Sequence, residues 1–312
     1  MIKQIIFNVG GALSSYIECN NHKILVDLGS SSDFHPIKDF LLPLYISRNE
    51  SRDTNGKYSL SQLILSHPHN DHISDIEEFH KNFYPSLITI PNDNVGTPNA
   101  EKINWSLIDN PSDDYVSYLR KNVLPGRRPP LCSIDSTILE IFYNKCLQCE
   151  NSPKLDKKNY ANNISIATFL FLNGQRILMA GDIMKDGMAY IIANNQNFAN
   201  ELIKGVDFLI APHHGLKSSF STELFDKMKN KKTNRLNIIS EKPTSSDSNR
   251  IVDSRYSISD FCSANNNLST STNKVCQRKT SGGHIIIDYS SKEPVVTIEN
   301  SNKDKDLIKY FI

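Results

Sequence analysis

With 312 residues, 38% of them apolar, and 35 basic against 34 acidic side chains, the chain is long enough for a sizeable core and carries a net charge of only +1. That balance excludes a global basic field for nucleic acid, so any such binding must come from a local patch. No apolar run approaches the ~18 residues of a membrane span, and polar residues interrupt the first seven positions where a signal sequence would be apolar. A cytoplasmic protein is therefore expected. With no secretion signal read, its six cysteines are expected to be reduced thiols, and Cys146-Leu147-Gln148-Cys149 lacks the second pair that a structural zinc requires.

Along the chain, Ile5-Ile6-Phe7, Ser15 to Cys19 and Lys23 to Asp27 are short apolar or alternating runs separated by Gly10-Gly11 and Asn20-Asn21. That punctuation predicts antiparallel strands joined by tight turns. Residues 30–60 show no readable element, and 47–56 read as a surface loop. Leu63-Ile64-Leu65 is a buried strand, and Ile73, Ile76 and Phe79 at i, i+3, i+6 predict a helix soon after it. The stretch 105–123 reads as helical segments over an irregular insertion. Arg127-Arg128 reads as solvent-exposed, 138–142 as a strand and 150–160 as a polar linker. Asn173-Gly174 between two apolar runs predicts a hairpin. A helix over 186–193, strands at 206–210 and 236–240, and a terminal hairpin from 285–289 and 294–298 complete the pattern. The 241–283 segment is dominated by Ser, Thr, Asn and Asp and is expected to be an irregular insertion rather than a second domain. Strands, helix, strands, helix predicts an α/β chain folded as a four-layer αββα sandwich, one domain over 1–312, with its strand-end loops on one face.

The chemistry concentrates in His67-Pro68-His69-Asn70-Asp71-His72, directly after the Leu63–Leu65 strand. Three imidazoles and a carboxylate within six residues at a strand end can aim four ligands at one point, which suits two adjacent divalent ions better than one. His80 reads as a solvated helix residue.

H-x-H-x-D-H after a strand resembles the signature of the metallo-β-lactamase superfamily. Gly181-Asp182 after the strand 177–180 and His213-His214-Gly215 after Phe208-Leu209-Ile210 resemble its later metal motifs. The His-His-Gly form, with Asn162-x-x-Ser165 upstream, is similar to the ComEC competence-protein branch and to the phosphorylcholine esterases. The resemblance implies that His67 and His69 bind one metal and that Asp71, His72 and His214 bind a second. Asp182 would bridge the two. Asp27, in Asp27-Leu28-Gly29, would orient the metal loop or simply close a turn. Gly10-Gly11-Ala12 stands where the branch has Gly-x-Gly-Asp, one polar position being lost. Two divalent ions, Zn²⁺ or Mn²⁺, would hold a hydroxide as nucleophile, with Asp71 orienting its proton and His213 donating to the substrate. His284 resembles the branch's late Gly-His, with a structural role expected. No histidine lies between His80 and His213, so the third imidazole usual at the first metal is missing, and oxygen ligation makes Mn²⁺ as plausible as Zn²⁺. The implied activity is that of a phosphodiesterase or nuclease acting on nucleic acid, a nucleotide or a lipid headgroup. Hydrolysis of a lactone, amide or thioester, or a non-catalytic metal-binding role, are the alternatives. No motif identifies a protein partner.

Overall fold

The computed structural model describes residues 1–91, 105–108, 112–122, 141–145, 157–228, 234–241, 251–264, 267–268 and 275–312. The expectations at Arg127-Arg128, 138–140, Cys146, Cys149 and 150–156 fall outside these residues.

The strands are β1 (Ile2–Ile6), β2 (Ser14–Cys19), β3 (His22–Leu28), β4 (Tyr58–Ile64), β5 (Phe83–Thr89), β6 (Ile141–Lys145), β7 (Ile166–Leu172), β8 (Gln175–Met179), β9 (Phe208–Ile210), β10 (Leu236–Ile239), β11 (Asn267–Leu268), β12 (Gln277–Lys279), β13 (His284–Asp288) and β14 (Val295–Glu299). They form two sheets, ordered β11-β14-β13-β1-β2-β3-β4-β5 and β12-β10-β9-β8-β7-β6. Alternation along the strands divides the apolar residues into three layers. Ile24 and Val26 of β3 meet Ile177 and Met179 of β8 between the sheets. Leu25 and Leu63 turn to the outer face of the first sheet. There they meet Leu44 of α1 (Leu42–Ser47), Ile76 and Phe79 of α2 (Ile76–Asn82) and Tyr115 of α3 (Asp113–Asn122). On the outer face of the second sheet, Phe169, Leu178 and Leu209 meet Tyr160 of α4 (Tyr160–Asn163), Met188 of α5 (Lys185–Asn194), Phe198 of α6 (Gln196–Ile203) and Leu224 of α7 (Thr222–Met228). Helix, sheet, sheet, helix is the predicted sandwich. A last helix, α8 (Asp304–Ile308), covers the first sheet with Leu307 and Ile308.

The β1-β2-β3 meander is antiparallel, as expected, and the turn between β7 and β8 has φ of 48° at Asn173 and 79° at Gly174, the left-handed pair that Asn-Gly supplies without strain. Two segments hold more packed structure than their sequence pattern shows. Residues 37–47 are helical, one π-turn (Ile37–Leu41) running into α1. Pro36 and Pro43 stand at helix starts where their missing N–H costs nothing. Within 241–283, residues 251–264 are packed rather than decorative. Val252 and Tyr256 are buried in the outer core of the second sheet, and the Phe220 ring lies 4.9 Å from Tyr256 and 5.0 Å from Phe261. Burying large apolar side chains contributes about 1.5–3 kcal/mol each, comparable to the ~1–2 kcal/mol that fixing a residue's backbone costs. Cys262 and Cys276 are free and buried there, the Cys276 thiol reaching the Cys262 carbonyl at 3.5 Å.

β3-β4-β5 and β8-β9-β10 are parallel, with helices in the crossovers. The C-terminal ends of β3, β4, β8, β9 and β10 lead into Asp27-Leu28-Gly29, His67–His72, Gly181-Asp182, His213-His214 and Ser240 respectively. Loops at the carboxyl ends of parallel strands are where α/β sheets build sites.

His284 is structural. Its Nδ1 accepts from the Asn8 N–H at 3.1 Å, its Nε2 donates to Asn302 Oδ1 at 3.1 Å, and its ring lies 4.5 Å from that of Phe34. Burial pushes its pKa down to about 4, so the folded state keeps the imidazole neutral while the unfolded chain protonates it near pH 6.5. Stability is therefore lost as pH falls from ~6.5 towards 4, by up to about 3 kcal/mol from this residue. Denaturant midpoints measured across that range should fall less steeply in His284→Asn than in the wild type.

Candidate metal centre

Asp27 holds the histidine loop from behind. Its backbone is left-handed (φ 58°), which Asp tolerates better than most residues. Its Oδ1 accepts from the Ser66 N–H at 2.6 Å. Its Oδ2 accepts from the Ser66 hydroxyl at 2.8 Å and from His72 Nδ1 at 2.8 Å. His67 Nδ1 in turn lies 3.1 Å from the Ser66 hydroxyl oxygen. Both imidazoles are thus tied down by Nδ1 and present Nε2 to the space between the sheets. Asp27 acts on the loop, beyond closing a turn. Gly29 is required by space: a Cβ there would stand 2.3 Å from the Asp71 carbonyl oxygen and 2.5 Å from that of Leu13.

The second sheet supplies the opposite wall. Gly181 (φ 55°) leaves no room for a side chain, since a Cβ would meet Ser165 Cβ at 2.7 Å and Ser66 Cβ at 3.0 Å. The Asp182 N–H donates to the Ser165 hydroxyl at 3.0 Å, which accounts for the serine of the Asn-x-x-Ser pattern. The asparagine with a clear structural task is Asn163, whose Oδ1 accepts from the Met184 N–H at 3.0 Å. Beyond β9, His213 (φ 46°), His214 (φ 57°) and Gly215 (φ 69°) are successive left-handed residues. That tight turn sends the two imidazoles different ways. His214 Nδ1 donates to the Ser240 carbonyl at 3.2 Å, and its Nε2 faces Asp71 Oδ2 at 3.4 Å and Asp182 Oδ2 at 3.9 Å.

Two groups of potential ligand atoms result, each with all members within 4.8 Å of one another: Asp71, His72, Asp182 and His214, and His67, His69 and Asp182. Asp182 is common to both. Its Oδ1 is 3.1 Å from His72 Nε2 and its Oδ2 is 3.5 Å from His67 Nε2. His72 Nε2 and His214 Nε2 are buried with no well-aligned hydrogen bond, each facing only a carboxylate oxygen, at 3.1 and 3.4 Å. Orphaned buried nitrogens of this kind call for an unseen partner, and imidazole with carboxylate is a donor set for divalent transition ions. The residues therefore fit a metal. Residues 8–130 match the model of the metallo-β-lactamase superfamily. That stretch includes His67, His69, Asp71 and His72.

Solved structures similar to this chain include the metallo-β-lactamase fold protein YhfI from Bacillus subtilis, at 13% identity and a TM-score of 0.38 over 76% of this chain and 85% of that one. Igni18, a metallo hydrolase of the hyperthermophilic archaeon Ignicoccus hospitalis, aligns at 12% identity and a TM-score of 0.36 over 82% and 88%. The short form of human tRNase Z aligns at 10% identity and 0.30 over 74% and 84%. Among curated proteins none matches the chain.

Electrostatics make this site one that wants positive charge. Burial works against the ions throughout, yet Asp182 is held well below the usual carboxylate range by His72, His67 and His214. Against the same desolvation, Asp182 and Asp27 push His72 well above an ordinary histidine, and Asp182 with Asp71 raises His214. The carboxylates hold protons on these imidazoles, and a divalent cation would supply the same charge. Burial lowers His67, His69 and His213. His213 belongs to neither ligand group. It is 22% exposed, with Nε2 3.9 Å from Asp182 Oδ2 and Nδ1 buried without a partner. His80 stands apart, its ring edge-on to Tyr118.

All six sequence-predicted ligands, His67, His69, Asp71, His72, Asp182 and His214, are thus brought together, with His213 at their rim. Ser66 and Ser240 were not singled out as supports of these ligands. Adjacency to the motif could have flagged Ser66, but nothing local marks Ser240.

Asp27→Asn tests the support. The left-handed backbone suits Asn equally well, but an amide N–H aimed at His72 Nδ1 would force the proton onto Nε2, the ligand atom. Metal affinity should fall about 10–100-fold, the usual size of a lost supporting hydrogen bond to a ligand. The checks are calorimetric Mn²⁺ or Zn²⁺ titration and the ¹⁵N shifts of the His72 ring.

Proposed function

We propose that the protein is a metal-dependent phosphodiesterase or nuclease. Asp182 as the shared member of two ligand groups carries this reading, because two cations close together suit a displacement at phosphorus, where attacking and leaving oxygens both need stabilising. In this assignment His67 and His69 hold one ion, Asp71, His72 and His214 hold the other, and Asp182 bridges them. The first group contains only two imidazoles, which leaves coordination positions for oxygen ligands and favours Mn²⁺ alongside Zn²⁺. The His-His-Gly turn and the Ser165 anchor support the ComEC-like branch.

Bound divalent cations would supply Lewis-acid charge and an activated water at neutral pH. The chain's own groups do the rest. Asp71, 43% exposed at the side chain, accepts the proton of the attacking water and holds its oxygen in line with phosphorus. His213 donates to a phosphate oxygen or to the leaving oxygen as the P–O bond breaks. Its freedom from both ligand groups is what qualifies it. The substrate class is a phosphodiester: nucleic acid, nucleotide or lipid headgroup. One domain carrying this site, in a cytoplasmic protein, completes the proposal.

Purified protein loaded with Mn²⁺ or Zn²⁺ should turn over bis-p-nitrophenyl phosphate. Turnover of a chromogenic lactone or β-lactam alone would overturn the assignment to phosphodiesters. Asp182→Asn should abolish activity and lower metal content, since a neutral amide cannot bridge two cations as a carboxylate does.

His213→Ala and His214→Ala should differ in kind. His214→Ala loses metal and is partly restored by excess metal, whereas His213→Ala keeps its metal and drops turnover by about 10²–10⁴-fold. Metal content and pH–rate profiles of both variants, read side by side, make the comparison. Equal metal loss in the two would remove His213 from acid catalysis.

A further inference from the structure

The group Asp71, His72, Asp182 and His214 spans both sheets: Asp71 and His72 arrive from the end of β4, Asp182 and His214 from the ends of β8 and β9. Asp182 is anchored by its backbone to Ser165 and His72 by its ring to Asp27. Asp71 and His214 are held differently, and by the same loop. The Leu13 N–H in the β1–β2 connection donates to the Asp71 carbonyl at 3.0 Å, and the Leu13 carbonyl accepts from the Gly29 N–H at 2.9 Å. One residue earlier, the Ala12 carbonyl accepts the Ser240 hydroxyl. The Ser240 carbonyl then accepts His214 Nδ1 at 3.2 Å. The connection Asp71–Leu13–Ala12–Ser240–His214 is continuous, and Ala12, Leu13 and Ser240 are all buried. Water is thereby kept from competing for these bonds.

We propose that Ser240 is a positioning residue, and that the β1–β2 loop is a clasp fixing the spacing between Asp71 and His214. The proposal rests on the ligand assignment above and adds to it a mechanical link between the two sheets. Gly10 and Gly11 let the loop turn sharply (φ 66° at Gly10), so that two neighbouring backbone groups face opposite walls of the site. Metal ligands must be held to within about 0.5 Å of their working geometry. Without the Ser240 hydroxyl the β10 end and the loop are free to part, and the ion that draws on both walls loses its preset geometry. The His67, His69 and Asp182 group lacks this link, because His214, the residue that Ser240 holds, is not among its members.

The experiment compares wild type, Ser240→Ala and Ser240→Cys. The cysteine keeps the buried side-chain volume with a much weaker donor, so it serves if the alanine variant fails to fold. In metal-free protein, amide exchange at Leu13 and Gly29 should be at least about tenfold faster in the variants, with Ile17 in β2 and Leu178 in β8 unchanged. In calorimetric Mn²⁺ titration the wild type should take up two ions. The variants should keep one affinity and lose about 10–100-fold in the other.

Unchanged exchange at Leu13 and Gly29 would overturn the clasp. So would equal acceleration at all four amides with both affinities weakened alike, which a merely structural serine would produce. A wild type that binds no Mn²⁺ or Zn²⁺ would instead sink the ligand assignment, and the exchange result would still decide the clasp on its own.

Discussion

The carboxylate of Asp27 is the interaction on which the centre depends. It is fully buried and accepts three hydrogen bonds, one from the backbone and one from the side chain of Ser66 and one from His72. A buried carboxylate is costly unless its oxygens are satisfied, and here the groups that satisfy it are the ones that must be immobilised. The same bonds decide which nitrogens face the cleft. Because Ser66 also accepts the Ile166 N–H at 3.0 Å on its carbonyl, the residue that orients two imidazoles of the first sheet also joins that sheet to the second.

Close approach of backbones is the second constraint. Gly29, Gly181 and Gly215 each sit where a methyl group would collide at under 3 Å, with the Asp71 carbonyl, with Ser165 and with Ile239 respectively. The ligands converge because nothing larger separates these segments. Short strand-end turns alone would not do it. The parallel order of β3-β4 and β8-β9-β10 brings their carboxyl ends to one edge, and the missing side chains let those ends approach until Asp182 serves two ligand groups.

Most of this was legible in the sequence, for a physical reason: ligands at strand ends leave a local signature. His67, His69, Asp71 and His72 share one loop. Asp182 and His214 follow apolar runs that read as strands. Periodicity gave the sandwich because each strand sorts its side chains between two faces. What local pattern cannot show is coupling across sheets, and Ser240 meets Ala12 over a separation of 228 positions. Residues 37–47 were opaque because aromatic and charged residues mix there over a helical run too short to show a clear period. The 251–264 segment was opaque because Val252, Tyr256 and Phe261 reach the core at no regular spacing, diluted by polar residues.

Backbone strain separates function from mere turn geometry at this centre. Among the described residues, seven other than glycine have positive φ. Three are asparagines, which tolerate it. Of the remaining four, Asp27, His213 and His214 belong to the centre or its support, and only Ala264 lies elsewhere in the sequence. A left-handed residue other than glycine costs on the order of 1–3 kcal/mol, and asparagine or glycine at 213 and 214 would relieve that cost while keeping the turn. The chain instead keeps imidazoles there, one with its Nε2 and the other with its Nδ1 buried without a well-aligned hydrogen bond. A fold selected for stability alone would have little reason to hold either arrangement, whereas the proposed centre, with His214 toward a cation and His213 toward an anionic substrate, would use both. The strain and the unsatisfied nitrogens therefore have one common explanation.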